Sequence, residues 1–82
     1  MSNKYNSKKL IDNLFKIVFK LPSSKINNKI DNKNLRKWDS LSHVILIMAM
    51  ESMFKININP KDAMYLMSYK KIYEYLKNKN KI

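Results

Sequence analysis

The hydrophobic positions of this chain fall into four stretches with helical spacing, separated by polar connections. In the first stretch, from about Asn6 to Lys20, apolar side chains recur every three or four residues and polar side chains occupy the opposite face. The recurring apolar positions are Leu10, Ile11, Leu14, Ile17 and Val18. Pro22 closes the stretch, because the residue before a proline avoids helical backbone angles. The pattern predicts an amphipathic first helix.

A long polar connection follows, from about Leu21 to Lys37. It is rich in Ser, Asn and Lys and is interrupted by three apolar residues, Ile26, Ile30 and Leu35. Connections of this length are uncommon in a compact domain unless they are functional or are held by their own apolar side chains. We expect these three residues to pin the connection across the helices.

The second predicted helix begins at Ser40 and runs to about Phe54. Asp39 precedes it as the N-cap, because a short carboxylate can accept the unpaired backbone N–H groups of the first turn. The segment is apolar nearly all round, which predicts burial on more than one side. Within it, the spacing of Leu46, Met50 and Phe54 predicts a stripe facing the core.

Two further helices are predicted near the end of the chain. Asn59 at the N-cap, Pro60 at the first helical position and Asp62 at the third form a start pattern for a short helix. Ser68 caps a fourth helix, whose apolar positions are Tyr69, Ile72, Tyr73 and Leu76. The predicted fold is therefore all-α: a small four-helix bundle of three longer helices and one short helix, with its long connection between the first two.

The length of 82 residues predicts a single domain covering 1–82, with an ordered core at about 5–77 and a basic tail at 78–82. The absence of Gly disfavours strands joined by tight turns, and the absence of Cys excludes disulfides. With one His and no Cys, no metal site is predicted. No segment resembles a signal peptide or reaches the roughly 20 apolar residues of a membrane span, so a cytoplasmic protein is expected.

The formal net charge of +11 raises nucleic acid as a possible partner. The lysines are spread through every segment, however, and form a run only at 77–81. The excess of Lys, Asn and Ile is also what an A/T-rich genome produces without any binding function. A basic nucleic-acid-binding module would need a recognition helix rich in Arg, Lys, Asn or Gln near its start, and the second helix lacks one. Trp38 and the tyrosines could stack on bases, but the tyrosines follow core spacing.

The segment Trp38-Asp39-Ser40-Leu41 carries the candidate chemistry. Ser40 falls at the first helical position, where its hydroxyl is exposed and the helix dipole favours negative charge. Such a serine is poorly activated as a nucleophile and well placed to carry a phosphate. Asp39, Ser40 and His43 include the residue types of a hydrolase triad, but the chain has no glycine-rich oxyanion loop. No catalytic residue is therefore assigned, and His43 is expected at the surface beside Ser40.

In this context the chain resembles the acyl carrier protein family from about Leu10 to Leu76, on the motif at Asp39-Ser40-Leu41, the long loop before it and the apolar helix after it. The resemblance implies a non-enzymatic, monomeric carrier with 4′-phosphopantetheine attached at Ser40. It also implies that a separate phosphopantetheinyl transferase (the holo-synthase) recognises Asp39. Ser40 Oγ would attack the pyrophosphate of coenzyme A and 3′,5′-ADP would leave.

The arm of such a carrier bears its cargo as a thioester between acyl-loading and acyl-transferring enzymes. A fatty acyl, lipid or specialised acyl cargo is implied, and an aminoacyl, D-alanyl or peptidyl cargo is the alternative. Family members are generally acidic on the second helix, whereas this one retains only Glu51. We expect partner enzymes to contact Leu41, Val44, Met48 and Glu51, although simple core packing is also open for Val44 and Met48.

Overall fold

The structure, a computed structural model, describes residues 7–82. Its helices are α1 (Ser7–Phe19), α2 (Ser40–Phe54), α3 (Pro60–Tyr65) and α4 (Tyr69–Asn78), with one turn of 3₁₀ helix at Ser23–Lys25. The all-α prediction of three longer helices and one short helix is confirmed. The predicted helix start at Asn6 lies outside the described residues, as do residues 5 and 6 of the predicted core. Within 7–82, no helix is both long and apolar enough to cross a membrane.

The three predicted N-caps are confirmed by side-chain hydrogen bonds to the first turn of each helix. Asp39 accepts from the backbone N–H of Ser42 at 2.9 Å, and Asn59 accepts from the N–H of Asp62 at 2.8 Å. Ser68 caps α4 in the same way through the N–H of Lys71, at 3.1 Å. These caps satisfy donors that have no partner inside the helix, so they fix where each helix begins.

The core is built on α1, which packs against both α2 and α4. The fully buried side chains of α1 are Ile11, Leu14, Phe15 and Phe19. The prediction that placed Ile17 on the apolar face is wrong, because Ile17 is 62% exposed. The two phenylalanines take the inward positions, with ring centroids 5.5 Å apart. As expected, the core stripe of α2 consists of Leu46, Met50 and Phe54.

Non-glycine residues take the left-handed backbone conformation at the ends of three helices. Lys20, Lys55 and Asn80 have φ of 55°, 56° and 59°. Helices commonly end on such a residue, usually glycine, because the chain can then turn while its last carbonyls find partners. After Asn80 the N–H of Lys81 bonds to the carbonyl of Leu76 at 2.9 Å, and Ile82 packs against the core.

The long connection between α1 and α2 is pinned as predicted. Ile26 and Ile30 are buried, and Leu35 packs against the core from a half-buried position. Two backbone hydrogen bonds tie the connection to the junction of α3 and α4: Tyr69 N donates to Ile30 O at 2.9 Å, and Asn32 N to Met67 O at 3.0 Å. The connection therefore crosses the bundle in a fixed position and brings its last residues to the start of α2.

A polar link joins α1 to the first residue of α4. The Tyr69 hydroxyl donates to Asp12 Oδ1 at 2.8 Å, and Lys8 Nζ lies 2.8 Å from Asp12 Oδ2. Burial raises the pKa of the Tyr69 phenol, and the hydrogen bond to the Asp12 carboxylate raises it further. Tyr69 therefore stays neutral and keeps donating well above neutral pH.

Candidate functional site

Ser40 is the first residue of α2, and its side chain is exposed. Asp39 before it has extended backbone, with φ −102° and ψ −173°, so its carboxylate turns back onto the helix start. The backbone N–H of Ser42 holds the pKa of the Asp39 carboxyl below its usual range, so Asp39 is ionised at neutral pH. Within residues 7–82, no hydrogen bond engages the Ser40 hydroxyl.

This geometry suits the esterification of Ser40 by a phosphate. Among residues 7–82 the hydroxyl has no competing partner, and it lies at the start of a helix of 15 residues, where backbone N–H groups favour negative charge. The Asp39 carboxylate accepts from the backbone N–H of Ser42 and does not occupy the hydroxyl of Ser40. The residues present therefore fit a phosphodiester at Ser40.

Trp38, two residues before Ser40, is buried in the core. Its side chain is 4% exposed and packs against Phe15 and Phe19, with ring centroids 5.6 and 5.1 Å away. The hypothesis that Trp38 offers a base-stacking platform is wrong, because such a platform must be open to solvent. Trp38 instead anchors the segment that leads into Ser40.

The sequence predicted that His43 lies at the surface, but its side chain is not free there. It is half-buried, and both of its ring nitrogens have partners. Trp38 Nε1 lies 3.0 Å from His43 Nδ1, and Ala63 O in α3 lies 2.7 Å from His43 Nε2. Both ring nitrogens are thus engaged by residues other than Ser40, so the structure gives no support to a hydrolase triad. Sequence spacing could not reveal the second contact, since Ala63 is 20 residues away.

A recess of about 260 Å³ opens beside Ser40. One wall is formed by the start of α2 and the residues before it, and the opposite wall by the long connection and the residues after α3. The lining side chains are those of Asn32, Trp38, Asp39, Ser40, His43 and Met67. The recess is half-open to solvent and lies directly next to Ser40.

An exposed apolar stripe runs down α2 from the Ser40 end. It consists of Leu41, Val44, Ile45 and Met48, and we call it the α2 stripe. The prediction that α2 is buried on more than one side is wrong, because Val44 is 55% and Met48 62% exposed. Core packing is thereby excluded for these two residues. Ile45 was missed as a surface candidate, although its spacing of four from Leu41 places both on one face.

Glu51, the carboxylate of α2, is engaged within the fold. Its Oε2 accepts from the backbone N–H of Ile58 at 2.8 Å, across the turn that follows the helix. The side chain is half-buried and stands beyond the end of the α2 stripe. Its position leaves the stripe itself free of acidic side chains.

Comparison with known proteins gives one informative similarity. The chain is 38% identical over 69 residues to a protein of Buchnera aphidicola subsp. Schizaphis graminum (strain Sg) named acyl carrier protein, and the match covers 80% of this chain and 87% of that protein. No protein-family model matches the chain, and no solved structure matches it. An identity of this size over most of both chains indicates common descent and a shared fold.

Proposed function

The chain belongs to the acyl carrier protein family, and we propose that it carries an acyl group on a 4′-phosphopantetheine arm attached to Ser40. Proteins of this family are carriers and not enzymes, and they generally bear this arm. The observation that carries the proposal is the exposed hydroxyl of Ser40, which has no hydrogen-bond partner within residues 7–82 and lies at the first residue of α2, directly after the Asp39 cap.

The attachment step is phosphoryl transfer by a separate phosphopantetheinyl transferase. Ser40 Oγ forms a new bond to the phosphorus that bears pantetheine in coenzyme A, the pyrophosphate bond breaks, and 3′,5′-ADP leaves while the transferase takes the hydroxyl proton. When attached, the arm supplies a thiol that takes the acyl group as a thioester. The role of this chain is to present Ser40 in an accessible position at a helix start that tolerates the added negative charge.

The α2 stripe is the surface that we propose for docking of partner enzymes. Leu41, Val44 and Met48 are exposed and follow Ser40 along the same side of the helix, so an enzyme seated on them would have the arm within reach. Contiguous exposed apolar side chains commonly mark protein interaction sites. Asp39 contributes a recognition carboxylate at the mouth of the helix, and Glu51 supports the far end by closing the turn to Ile58.

Intact-mass spectrometry tests the attachment. The purified protein is incubated with coenzyme A, Mg²⁺ and a broad-specificity phosphopantetheinyl transferase, and we expect a single phosphopantetheine adduct on the wild type. Ser40→Ala should show none. Ser52→Ala, which changes another exposed serine of α2, should be modified like the wild type. An unmodified wild type with several transferases, or an adduct on Ser40→Ala, would contradict the proposal.

A further inference from the structure

The ring of His43 joins three parts of the molecule next to Ser40. His43 itself lies in the first turn of α2, Trp38 belongs to the aromatic core, and Ala63 belongs to α3. The ring planes of His43 and Trp38 are 22° apart, which allows a nearly in-plane hydrogen bond between Trp38 Nε1 and His43 Nδ1. The segment that contains Ser40 is thus fixed at both ends, by burial of Trp38 and by the contacts of His43.

The partners of His43 define one protonation state of its ring. The indole Nε1–H of Trp38 can only donate, so His43 Nδ1 must accept and carries no proton. The carbonyl of Ala63 can only accept, so His43 Nε2 must carry the proton. The neutral Nε2–H tautomer satisfies both partners, whereas the other tautomer would leave both hydrogen bonds unmade.

The contact with Ala63 bears on the recess beside Ser40. The chain continues from Ala63 to Met67, which lines the recess on the side opposite α2. Two of the hydrogen bonds that hold this wall are the one from His43 to Ala63 O at 2.7 Å and the one from Asn32 N to Met67 O at 3.0 Å. Of these two, the first connects the wall directly to the helix that bears Ser40.

We propose that His43 is a positioning residue: as the neutral Nε2–H tautomer it fastens α3 to the first turn of α2 and so fixes the recess next to Ser40. Its hydrogen bond to Ala63 O keeps α3 and the residues after it in place beside Ser40. Its hydrogen bond from Trp38 orients the ring so that Nε2 faces that carbonyl. The effect on arm attachment rests on the proposed function of Ser40. The hydrogen bond between His43 and α3 does not depend on that function.

Three variants of His43 distinguish the contributions of its two hydrogen bonds. An Asn amide oxygen falls near the position of a histidine Nδ1, so His43→Asn keeps an acceptor for Trp38 and loses the link to Ala63. A Gln amide nitrogen falls near the position of Nε2, so His43→Gln keeps a donor for Ala63 and loses the acceptor for Trp38. His43→Phe keeps a ring and loses both bonds. Each variant is first checked for a cooperative thermal transition.

Two measurements on the unmodified protein test the fastening. Nitrogen-15 shifts of the His43 ring should show an unprotonated Nδ1 and a protonated Nε2 in the wild type. Hydrogen exchange at the amide of Leu66, which bonds to carbonyls of α3, should become several-fold faster in His43→Asn and His43→Phe and stay near the wild-type rate in His43→Gln. An Nδ1–H tautomer, or unchanged exchange in all three variants, would overturn the proposal.

The transferase reaction tests the consequence for Ser40. We expect the KM for the carrier to rise several-fold in His43→Asn and His43→Phe, with a smaller change in kcat. His43→Gln should have a KM close to that of the wild type. Equal KM values in all folded variants would show that His43 does not position the site. If the wild type is never modified, the proposed function of Ser40 fails, while the ring shifts and the exchange rates still decide whether His43 fastens α3.

Discussion

Glu51 Oε2 accepts a hydrogen bond from the backbone N–H of Ile58, at 2.8 Å, across the turn that joins α2 to α3. Because Ile58 is a core residue, loss of the acceptor leaves a partly buried N–H without a partner. We predict that Glu51→Ala lowers the free energy of unfolding by about 1–2 kcal/mol, measured by urea denaturation. Glu51→Gln keeps an acceptor oxygen, so its free energy of unfolding should fall by less than that of Glu51→Ala.

The control for this prediction is Glu74→Ala, which removes the same charge from an exposed position on α4. Its free energy of unfolding should stay within about 0.5 kcal/mol of the wild type. Equal stabilities for Glu51→Ala and Glu74→Ala would show that the hydrogen bond to Ile58 contributes nothing, and would leave the Glu51 carboxylate available for partner enzymes.

Ser40 and its neighbour Asp39 should respond differently to truncation. The Ser40 side chain is exposed, and its hydroxyl makes no hydrogen bond among the residues that the structure describes, so Ser40→Ala should change the free energy of unfolding by less than about 0.5 kcal/mol. Asp39→Ala removes the cap on α2 and should lower the melting temperature measurably. Thermal melts followed by circular dichroism make the comparison. A large drop for Ser40→Ala would mean that this serine supports the fold.

The end of α2 offers a stabilising substitution. Lys55 has φ 56°, a conformation that costs a residue with a Cβ more than it costs glycine. Lys55→Gly relieves this strain but adds entropy to the unfolded chain, so the net gain should be about 0.5–1 kcal/mol. Lys55→Ala, which removes the same charge and keeps the Cβ, is the control and should show no gain. Chemical denaturation of the three proteins checks this, and a loss with Lys55→Gly would contradict it.

Features set by neighbouring residues could be predicted from this sequence, as could the pinning of the long connection by its apolar side chains, whereas the specific partners of distant polar contacts could not. The caps at Asp39, Asn59 and Ser68 depend on residues three positions away, and all three were predicted correctly. Spacing alone did not decide that Ile17 faces solvent, because the larger rings of α1 fill the core.

The candidate site shows the same division. The exposed position of Ser40 follows from its local pattern, whereas the role of His43 depends on a carbonyl that only the tertiary fold brings near. The apolar character of α2 suggested burial, but the α2 stripe has no neighbour within the described part of the chain to cover it. A sequence pattern cannot distinguish a core face from a face used by another protein.

The link between Tyr69 and Asp12 predicts a specific dependence on pH. Because the pKa of Tyr69 is raised in the folded state above its ordinary value of 10.0, its contribution to stability is fully present below that pH. The contribution is lost as pH rises further, since the unfolded phenol then ionises first. At pH 7, Tyr69→Phe should be less stable by about 1–2 kcal/mol, because the hydrogen bond to a carboxylate is lost.

Urea denaturation of the wild type and Tyr69→Phe at several pH values between 7 and about 11 measures this effect. The difference between the two proteins should be constant up to about pH 10 and should shrink above it. Taking the difference removes the contributions of the other tyrosines. A difference that stays constant throughout would contradict the raised pKa.

Docking through the α2 stripe predicts that partner enzymes recognise apolar surface and not acidic charge. Met48→Glu and Met48→Lys should both lower kcat/KM in the transferase reaction, because either charge must be desolvated at the interface. Ionic docking on a basic enzyme would instead improve with Met48→Glu and weaken with Met48→Lys. The matched control is the same pair of changes at Met53, which lies five residues further along α2 and outside the stripe.

Salt gives an independent test of the same docking mode. The carrier has a net charge of +11, so a basic enzyme surface meets net repulsion, and added salt weakens repulsion between exposed charges. We therefore predict that KM for the carrier stays constant or falls as NaCl is raised. Neutralising one exposed lysine, as in Lys61→Gln, should change kcat/KM less than either substitution at Met48. A KM that rises steeply with salt, together with strong loss in Asp39→Asn, would assign recognition to the remaining carboxylates and not to the α2 stripe.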